Sequence, residues 1–524
     1  METNAKKLLE RAIELEPNLA NAHFKLGTLY QAEKDFTSAF KFFEKAVALD
    51  SSFAAAECEL AIELAREKKY EDAREHFLNA LEIDPNFIKA YFNYALILIE
   101  LNDHEEAKNN FDKVADIDQN YSPAYFNKAR LLTNPDDFDE ARKNYETALD
   151  IEPNYSEVHY YLGKLLLGGK AANKDGTFLD KKDWDLAKSH FLRCIKLDKK
   201  NYKAFYNLSR ILFDEKLYEE AKINLANALA LSPTYSKAHY LYARVWEMEN
   251  NFEKAILHFE ASIEHFKDNP RAFFRLGKLQ FEKGDLTQAE DNLKKSIKLN
   301  PQDADSQYYL AKILTQNQDA SLAKKHFYKA LEINPDFALA YFDLAFHAEK
   351  SGDINEAKIH FQKATDVDQN FADAYFNLAR LSSNPAEYDI AERNFETALE
   401  IKPDFDECHY FFGKLLAKGE KMTKDGTRVT KPQLSKAAEQ FCKSIQINPN
   451  NYKSHYQLGI LHSQQHHFIE AFESLNRSIE INPNFANGHY QLAVLLMNDH
   501  AQSALRKRKH TKAPSKVPKR SRVK

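Results

Sequence analysis

"HYYLGKLLLGGKAANKDGT" occupies residues 159–177, and "HYFFGKLLAKGEKMTKDGT" occupies 409–427, an offset of 250 residues. Outward from this pair, prolines at 17, 85, 153, 233, 301, 335, 403, 449 and 483 follow amphipathic runs such as "ALEIDP" and "SIEINP". Their spacings, 68, 68, 80, 68, 34, 68, 46 and 34, are multiples of 34 except where one segment is 46 long. A fixed period of this size is the signature of a repeat array. Repeats begin at Ala20, Ala54, Ile88, Ser122, Ser156, Tyr202, Ser236, Pro270, Ala304, Ala338, Ala372, Asp406, Tyr452 and Ala486. Six repeats of 34 and one of 46 account for the offset, so a seven-repeat block is present twice.

Within each repeat, apolar residues recur at three- and four-residue spacing in two segments, joined by polar turns such as "EKGDL" and "KSGDI". That pattern predicts a helical hairpin. The eighth residue is small (Gly27, Ala61, Ala95, Ala129, Gly163, Ser209), and the twentieth, with the long insert removed, is Ala from Ala39 to Ala471. Small side chains there allow two helices to approach closely, and Phe43, Phe77, Phe111, Tyr145 and Phe191 fill the space beside them.

Composition agrees with an all-α chain: 13 Gly and 16 Pro stand against 37 Phe and 26 Tyr in 524 residues, a length beyond one compact core. Four cysteines lie far apart without a CxxC pair, which fits a reducing compartment and neither a disulfide framework nor a zinc site. The N-terminal stretch is amphipathic and lacks the apolar run of a signal peptide. The longest apolar run, "YALILI" at 94–99, is far short of a membrane span. The expectation is a cytoplasmic protein.

The order aromatic, Leu-Gly/Ala, Ala, Phe/Tyr, Ala, Pro over 34 residues resembles the tetratricopeptide repeat (TPR) family, with "AYFNLARL" (374–381) close to that family's first helix. The resemblance covers residues 5–497 and implies a right-handed superhelical solenoid of about 14 antiparallel helix pairs. Its first helices would line a concave groove. The expected organisation is an N-terminal half-repeat (1–19, a lone second helix), a first block (20–269), a second block (270–500) ending in a lone first helix, Ala486–Met497, and a basic disordered tail (501–524).

In this family the fifth residue of the repeat lies on or beside the concave face. Here it is aromatic at thirteen of fourteen positions, among them Phe92, Phe126, Tyr160, Tyr206, Tyr240, Phe274, Tyr308, Phe376 and Tyr410. The ninth residue, one helical turn on, is basic in six consecutive repeats, Arg130, Lys164, Arg210, Arg244, Lys278 and Lys312. Phe346 interrupts the column before Arg380 and Lys414 resume it. The sixth residue adds the amides Asn93, Asn127, Asn207 and Asn377. A basic line beside an aromatic line, with amides for a peptide backbone, suits an extended acidic or amide-rich segment of a partner protein. The alternative is RNA or DNA, with bases on the rings and phosphates on the cations. A competing reading is structural: rings packed between helices, and cations paired at helical spacing, as Arg210 with Asp214 and Lys278 with Glu282. Arg271 and Arg275 resemble two members of the family's carboxylate clamp, but Leu241 stands where that clamp needs Asn.

The two inserts, "GGKAANKDGTFLDKK" and "KGEKMTKDGTRVTKP", are read as protruding hairpins with Gly176 and Gly426 at positive φ. They do not fit a calcium loop: Ala171 and Lys182, or Lys421 and Pro432, fall where ligands are needed. His462 and His466 are four apart but meet the inter-helix turn, and the histidines at the fourth position (His23, His159, His239, His409, His455, His489) are read as packing residues. The sequence offers no catalytic constellation, cofactor motif or metal site, so the expected function is a non-catalytic scaffold or adaptor. From Arg506 to Lys524 there are ten Lys/Arg and no acid, which leaves −15 on the rest of a chain whose formal charge is −5. Such a tail suits phosphate neutralisation or, in a nucleated cell, nuclear import.

Overall fold

An ordinary repeat folds as a first helix of 13 or 14 residues, a turn of three or two residues and a 14-residue second helix, as in Ala20–Ala32 and Phe36–Leu49 or Pro270–Lys283 and Leu286–Leu299. The computed structural model describes residues 2–172, 178–180, 182–423 and 425–511, and its contacts divide the chain into two bodies, Met1–Lys267 and Asp268–Lys524. Within each body, successive helices pack as antiparallel neighbours, so the architecture is an all-α solenoid of helix pairs.

The turn inside a repeat is set by one residue at positive φ, such as Lys34 (63°), Asn102 (61°), Gly284 (86°) or Gly352 (87°). In several repeats an aspartate N-cap then starts the second helix: Asp35 accepts from the Ser38 N–H at 3.1 Å, and Asp319 and Asp353 do the same for Leu322 and Glu356. The turn between repeats has its own clamp. The histidine at the fourth position donates from Nε2 to the carbonyl of the proline six residues back, at 3.0 Å for His23 and Pro17 and 3.1 Å for His159 and Pro153. His239, His409, His455 and His489 repeat the bond. All six rings tie the helix entrance to the preceding turn; His23, His159 and His409 are also buried there, His239 and His455 are half-buried, and His489 is exposed, so it does not pack as expected.

The core lies between the two helices of each repeat. Every alanine of the twentieth column is fully buried, as are the Phe or Leu side chains one turn later, Phe43, Phe77, Leu225, Phe259 and Phe441 among them. A Cβ added at Gly27 would stand 2.8 Å from Phe43 Cε1, and one at Gly413 would stand 2.7 Å from Phe441 Cε1. Cys58, Cys194 and Cys408 are buried in this layer, and Cys442 is exposed.

Both inserts are hairpins, as expected, but they do not protrude. Strands β1 (Lys170–Ala172) and β2 (Phe178–Asp180) pair antiparallel, as do β3 (Glu420–Met422) and β4 (Arg428–Thr430). Each hairpin folds back onto the preceding repeat. There the first helix is only ten residues (Ser122–Leu131 and Ala372–Leu381), and the turn holds a short 3-10 helix at Pro135–Asp137 or Pro385–Glu387. The hairpin occupies the space the missing turn leaves. Lys421 Nζ reaches Asp389 at 2.8 Å and lies 4.2 Å from the Tyr388 ring centroid. Gly426 has the expected positive φ of 84°. Gly176 lies outside the described residues. The glycines that hold the inserts are Gly169 and Gly419, at φ 53° and 54°, each with backbone just past the returning strand, at Lys182 and at Lys431, where a Cβ would be.

The N-terminal half-repeat is a single helix, Glu2–Leu15. The C-terminal end differs from expectation. Ala486–Met497 is not a lone last helix, and residues 501–511 are not disordered: a further helix, Asp499–Thr511, follows at once. Asn498 caps it through the Ala501 N–H at 3.1 Å, and Ala501 is fully buried against the cluster of Leu475, Leu492 and Leu495. Gln502 Nε2 adds a hydrogen bond to Leu496 O at 2.8 Å. Residues 512–524 lie outside the described range.

Replacing Gly284 with Ala meets open space and strains only the backbone, about 1 kcal/mol, whereas Gly419→Ala drives a methyl into Lys431. Hydrogen exchange is expected to show the Lys431 and Gln433 amides, which bond Gly419 O (2.7 Å) and Leu416 O (2.9 Å), losing protection in Gly419→Ala alone. A pH response follows from the clamps. Because His159 and His239 use Nε2–H on a carbonyl, their Nδ1 atoms accept from Nδ1 of His190 (2.9 Å) and His258 (3.1 Å). Burial first, and the facing ring second, push His190 and His258 down to about 4 from 6.5. Their folded pKa is below the unfolded one, so this contribution is full above pH 6.5 and is lost as pH falls toward 4. The drop in melting temperature between pH 7.5 and 5 is expected to shrink in a His190→Gln/His258→Gln variant.

Candidate partner-binding face

The first helices carry the fifth, sixth and ninth columns on one side, and each column has a distinct structural role. Rings of the fifth column are committed largely to packing. Phe126, Tyr308 and Phe376 are buried, while Phe92, Tyr160, Tyr206, Tyr240, Phe274 and Tyr410 are half-buried. Most touch a ring of their own second helix or the aromatic at the next turn. Phe92 meets Phe111 and Tyr121 at centroid distances of 5.7 and 5.2 Å, Tyr206 meets Tyr235 at 5.2 Å, and Tyr240 meets Phe259 at 5.6 Å. Phe274 instead contacts Tyr309 at 5.9 Å. Burial raises the phenol pKa of Tyr160, Tyr206 and Tyr410, so these hydroxyls stay protonated donors.

The amides are partly spent on their own helices. Asn93, Asn127, Asn207 and Asn377 each donate from Nδ2 to the carbonyl four residues back, at 2.8 to 2.9 Å. In three cases the amide oxygen then accepts from the arginine three residues on: Asn127 from Arg130 (3.2 Å), Asn207 from Arg210 (3.3 Å) and Asn377 from Arg380 (3.1 Å). The Asn-x-x-Arg spacing thus orients the guanidinium. Sequence reading found both residues and assigned the amides to a peptide instead.

The ninth column separates into free and neutralised cations. In the first body Arg130, Lys164 and Arg210 are exposed, and among the described residues no carboxylate lies within ion-pair distance of them. Arg210 does not pair with Asp214; that carboxyl is held above its usual range by burial, with Arg210 and Arg244 pulling the other way. Arg244 pairs with Glu247 at 3.0 Å. In the second body Lys278 stands 3.7 Å from Glu282, as its spacing suggested, and Lys312 stands 3.7 Å from Asp343. Arg380 takes both oxygens of Glu349 at 2.8 Å, and Lys414 is exposed. Several cations sit over the ring one turn earlier: Arg130 over Phe126 at 5.5 Å, Lys312 over Tyr308 and Lys414 over Tyr410 at 5.6 Å. Arg275 lies 5.9 Å from the Phe274 centroid, and Leu241 is buried, as packing rather than ligand contact requires.

Sequence reading missed an acidic patch and two cavities. Helix Ala54–Arg66 buries Glu57, Glu59 and Glu63. Glu57 meets His76 at 2.5 Å, Glu59 pairs with Lys89, and Glu63 takes Gln31 (2.8 Å) and Arg66 (2.9 Å). A cavity of about 540 Å³ in the second body is walled by Lys312, Phe327, Asp343, Phe346 and His347. One of about 420 Å³ in the first body is lined by Arg130, Thr133, Asn134, Tyr145, Tyr161 and Lys164, with apolar neighbours. The signal was present as position-for-position differences between the two blocks, but which of those positions face one another is set by packing across repeats.

His462 and His467 have ring centroids 6.0 Å apart, and His466 turns away at φ 61°. Among the described residues no group of three or more His, Cys, Asp or Glu converges on one point, and no helix is long and apolar enough to cross a membrane.

Tetratricopeptide repeat profiles match residues 64–132, 212–273, 248–313 and 314–381, and also 20–53, 372–405 and 452–485. A TPR repeat profile matches 136–168. No curated protein matches the chain. Among solved structures, the APC/C hetero-tetramer Cut9-Hcn1 is 15% identical over 94% of this chain and 93% of that one, with a TM-score of 0.37. Yeast Tom70 is 16% identical over 94% of this chain and 97% of its own, at 0.33. YrrB, described as a TPR protein with an unusual peptide-binding site, is 23% identical over 37% of this chain and 95% of its own, at 0.32.

Proposed function

Since the chain belongs to the tetratricopeptide repeat family, we propose that it is a non-catalytic scaffold or adaptor that holds an extended acidic or amide-rich segment of a partner protein along its first helices. The observation that carries this reading is the run Arg130, Lys164 and Arg210. Three successive repeats keep an exposed cation without a carboxylate partner among the described residues. The body is otherwise rich in acid: the chain outside Arg506–Lys524 carries −15. Elsewhere on the surface, lysines are commonly paired across repeats, as Lys188 with Glu215 (2.6 Å) and Lys324 with Glu356 (2.7 Å). A solvated face with no ligand would not require the column to differ.

Half-buried rings beside the cations supply flat apolar contact that an extended chain can cross without ordering cost on the protein side. The oriented guanidiniums supply charge-assisted hydrogen bonds to carboxylates. Bonds of this kind are screened by salt at an exposed face, so affinity is expected to fall as salt rises, by less than the steep power law of a polyphosphate ligand.

The test is a peptide array of mixed composition probed with the full chain, beside a titration with single-stranded RNA. Acid-containing peptides are expected to be selected and to be lost with Arg210→Glu/Arg244→Glu. If RNA is bound tightly, no peptide is selected and the double variant still binds RNA, the chain is a nucleic-acid-associated protein and the scaffold reading falls.

A further inference from the structure

The two blocks place the same arginine in opposite electrostatic surroundings. Arg380 is gripped by both carboxylate oxygens of Glu349. The residue 250 positions before Glu349 is Ile99, and the one before Arg380 is Arg130. Arg130 therefore keeps the orienting bond to Asn127 at 3.2 Å but has no carboxylate partner among the described residues. Its guanidinium lies 5.5 Å from the Phe126 ring and 5.3 Å from the Tyr161 ring.

Beside it is the 420 Å³ cavity between the fourth and fifth repeats. Among the described residues its walls include two cations, Arg130 and Lys164, and no Asp or Glu. Tyr145 and Tyr161 line it too, and their counterparts in the second block are Phe395 and Phe411, which have no hydroxyl. The Tyr145 phenol is close enough to feel Arg130, and its burial keeps it protonated. Three differences between the copies thus point one way: the first copy leaves the arginine without a carboxylate partner among the described residues and adds two donors, and the second pairs the arginine and lacks both hydroxyls, although Lys414 stays exposed. A guanidinium, an ammonium and hydroxyl donors around a cavity with Pro135, Phe138 and Leu165 as apolar wall match an anionic group carried on a side chain.

We propose that this cavity of the first body binds an acidic side chain of the partner segment, a carboxylate or a phosphoryl group, and that its second-body counterpart does not. The proposal rests on the peptide-binding reading and assigns one register within it. Ile99 decides the difference, because a carboxylate there would occupy the guanidinium fork before any ligand arrived.

The experiment uses the full chain and fluorescent peptides taken from the array selection, each with one acidic residue as Glu, as Gln or as phosphoserine. Ile99→Glu, which installs the second copy's acid, is expected to weaken the Glu and phosphoserine peptides roughly 10- to 100-fold and the Gln peptide less than twofold. Whichever anion binds tighter to the wild type identifies the source. Should Ile99→Glu fail to fold, Arg130→Gln/Lys164→Met reads the same ratio. Peptides that bind wild type with no preference for an anion, or a preference that survives both variants, overturn the pocket and leave the scaffold reading standing. If no peptide binds at all, the scaffold reading falls and the pocket with it.

Discussion

A ring or leucine from the second helix rests on a residue with almost no side chain in the first, and that small residue is buried in all thirteen complete repeats. Gly27 beneath Phe43, Gly163 beneath Phe191 and Gly459 beneath Leu475 leave no room even for a methyl without movement. The pair sets how near the two helices lie, and hence which side of the first helix is left outward. Fully buried alanines such as Ala187 and Ala391 hold the same spacing from the second helix. Once that spacing is fixed, the fifth, sixth and ninth residues have no choice of direction. The candidate binding face is a consequence of core packing.

The same constraint explains the irregular repeats. A first helix of ten residues, as in Ser122–Leu131 and Ala372–Leu381, would leave its partner uncovered at one end. The twelve-residue inserts of the following repeats return to that place as hairpins, hinged at Gly169 and Gly419. Shortened helix and insert are one structural device, which is why each block carries both or would need neither. The ends of the array meet a related demand, since a terminal helix pair exposes an apolar side. Glu2–Leu15 packs on the first complete repeat and Asp499–Thr511 on the last helices through Ala501, yet Leu8, Leu15, Tyr490 and Met497 stay exposed, so the apolar side is only partly covered.

Charge has diverged where packing has not. Both copies keep the Asn-x-x-Arg geometry at Asn127–Arg130 and Asn377–Arg380, yet only Arg380 has a carboxylate supplied from the neighbouring repeat. A bidentate, half-buried pair of this kind consumes the guanidinium fork that recognition would use. Duplication supplied a spare face, and single substitutions at Ile99/Glu349, Tyr145/Phe395 and Tyr161/Phe411 are enough to give the two faces different chemistry.

The period of 34, the small-residue columns and the proline positions determined the helix pairs, their boundaries and the family, because a contact repeated at fixed spacing writes itself into the sequence at that spacing. Gly426, the His466 turn and the burial of His23, His159 and His409 were legible for the same reason: each depends on residues close in the chain. The Nε2 bond from those histidines to the proline carbonyl was not, since a ring's hydrogen-bond partner depends on its rotamer. The docking of the inserts, the helix at 499–511, and the difference between Arg130 and Arg380 belonged to the tertiary structure. A hydrophobic seat for Ala501, a space beside a shortened helix and a carboxylate 31 residues away become neighbours only when repeats stack, and composition along the chain does not record who faces whom across that stack.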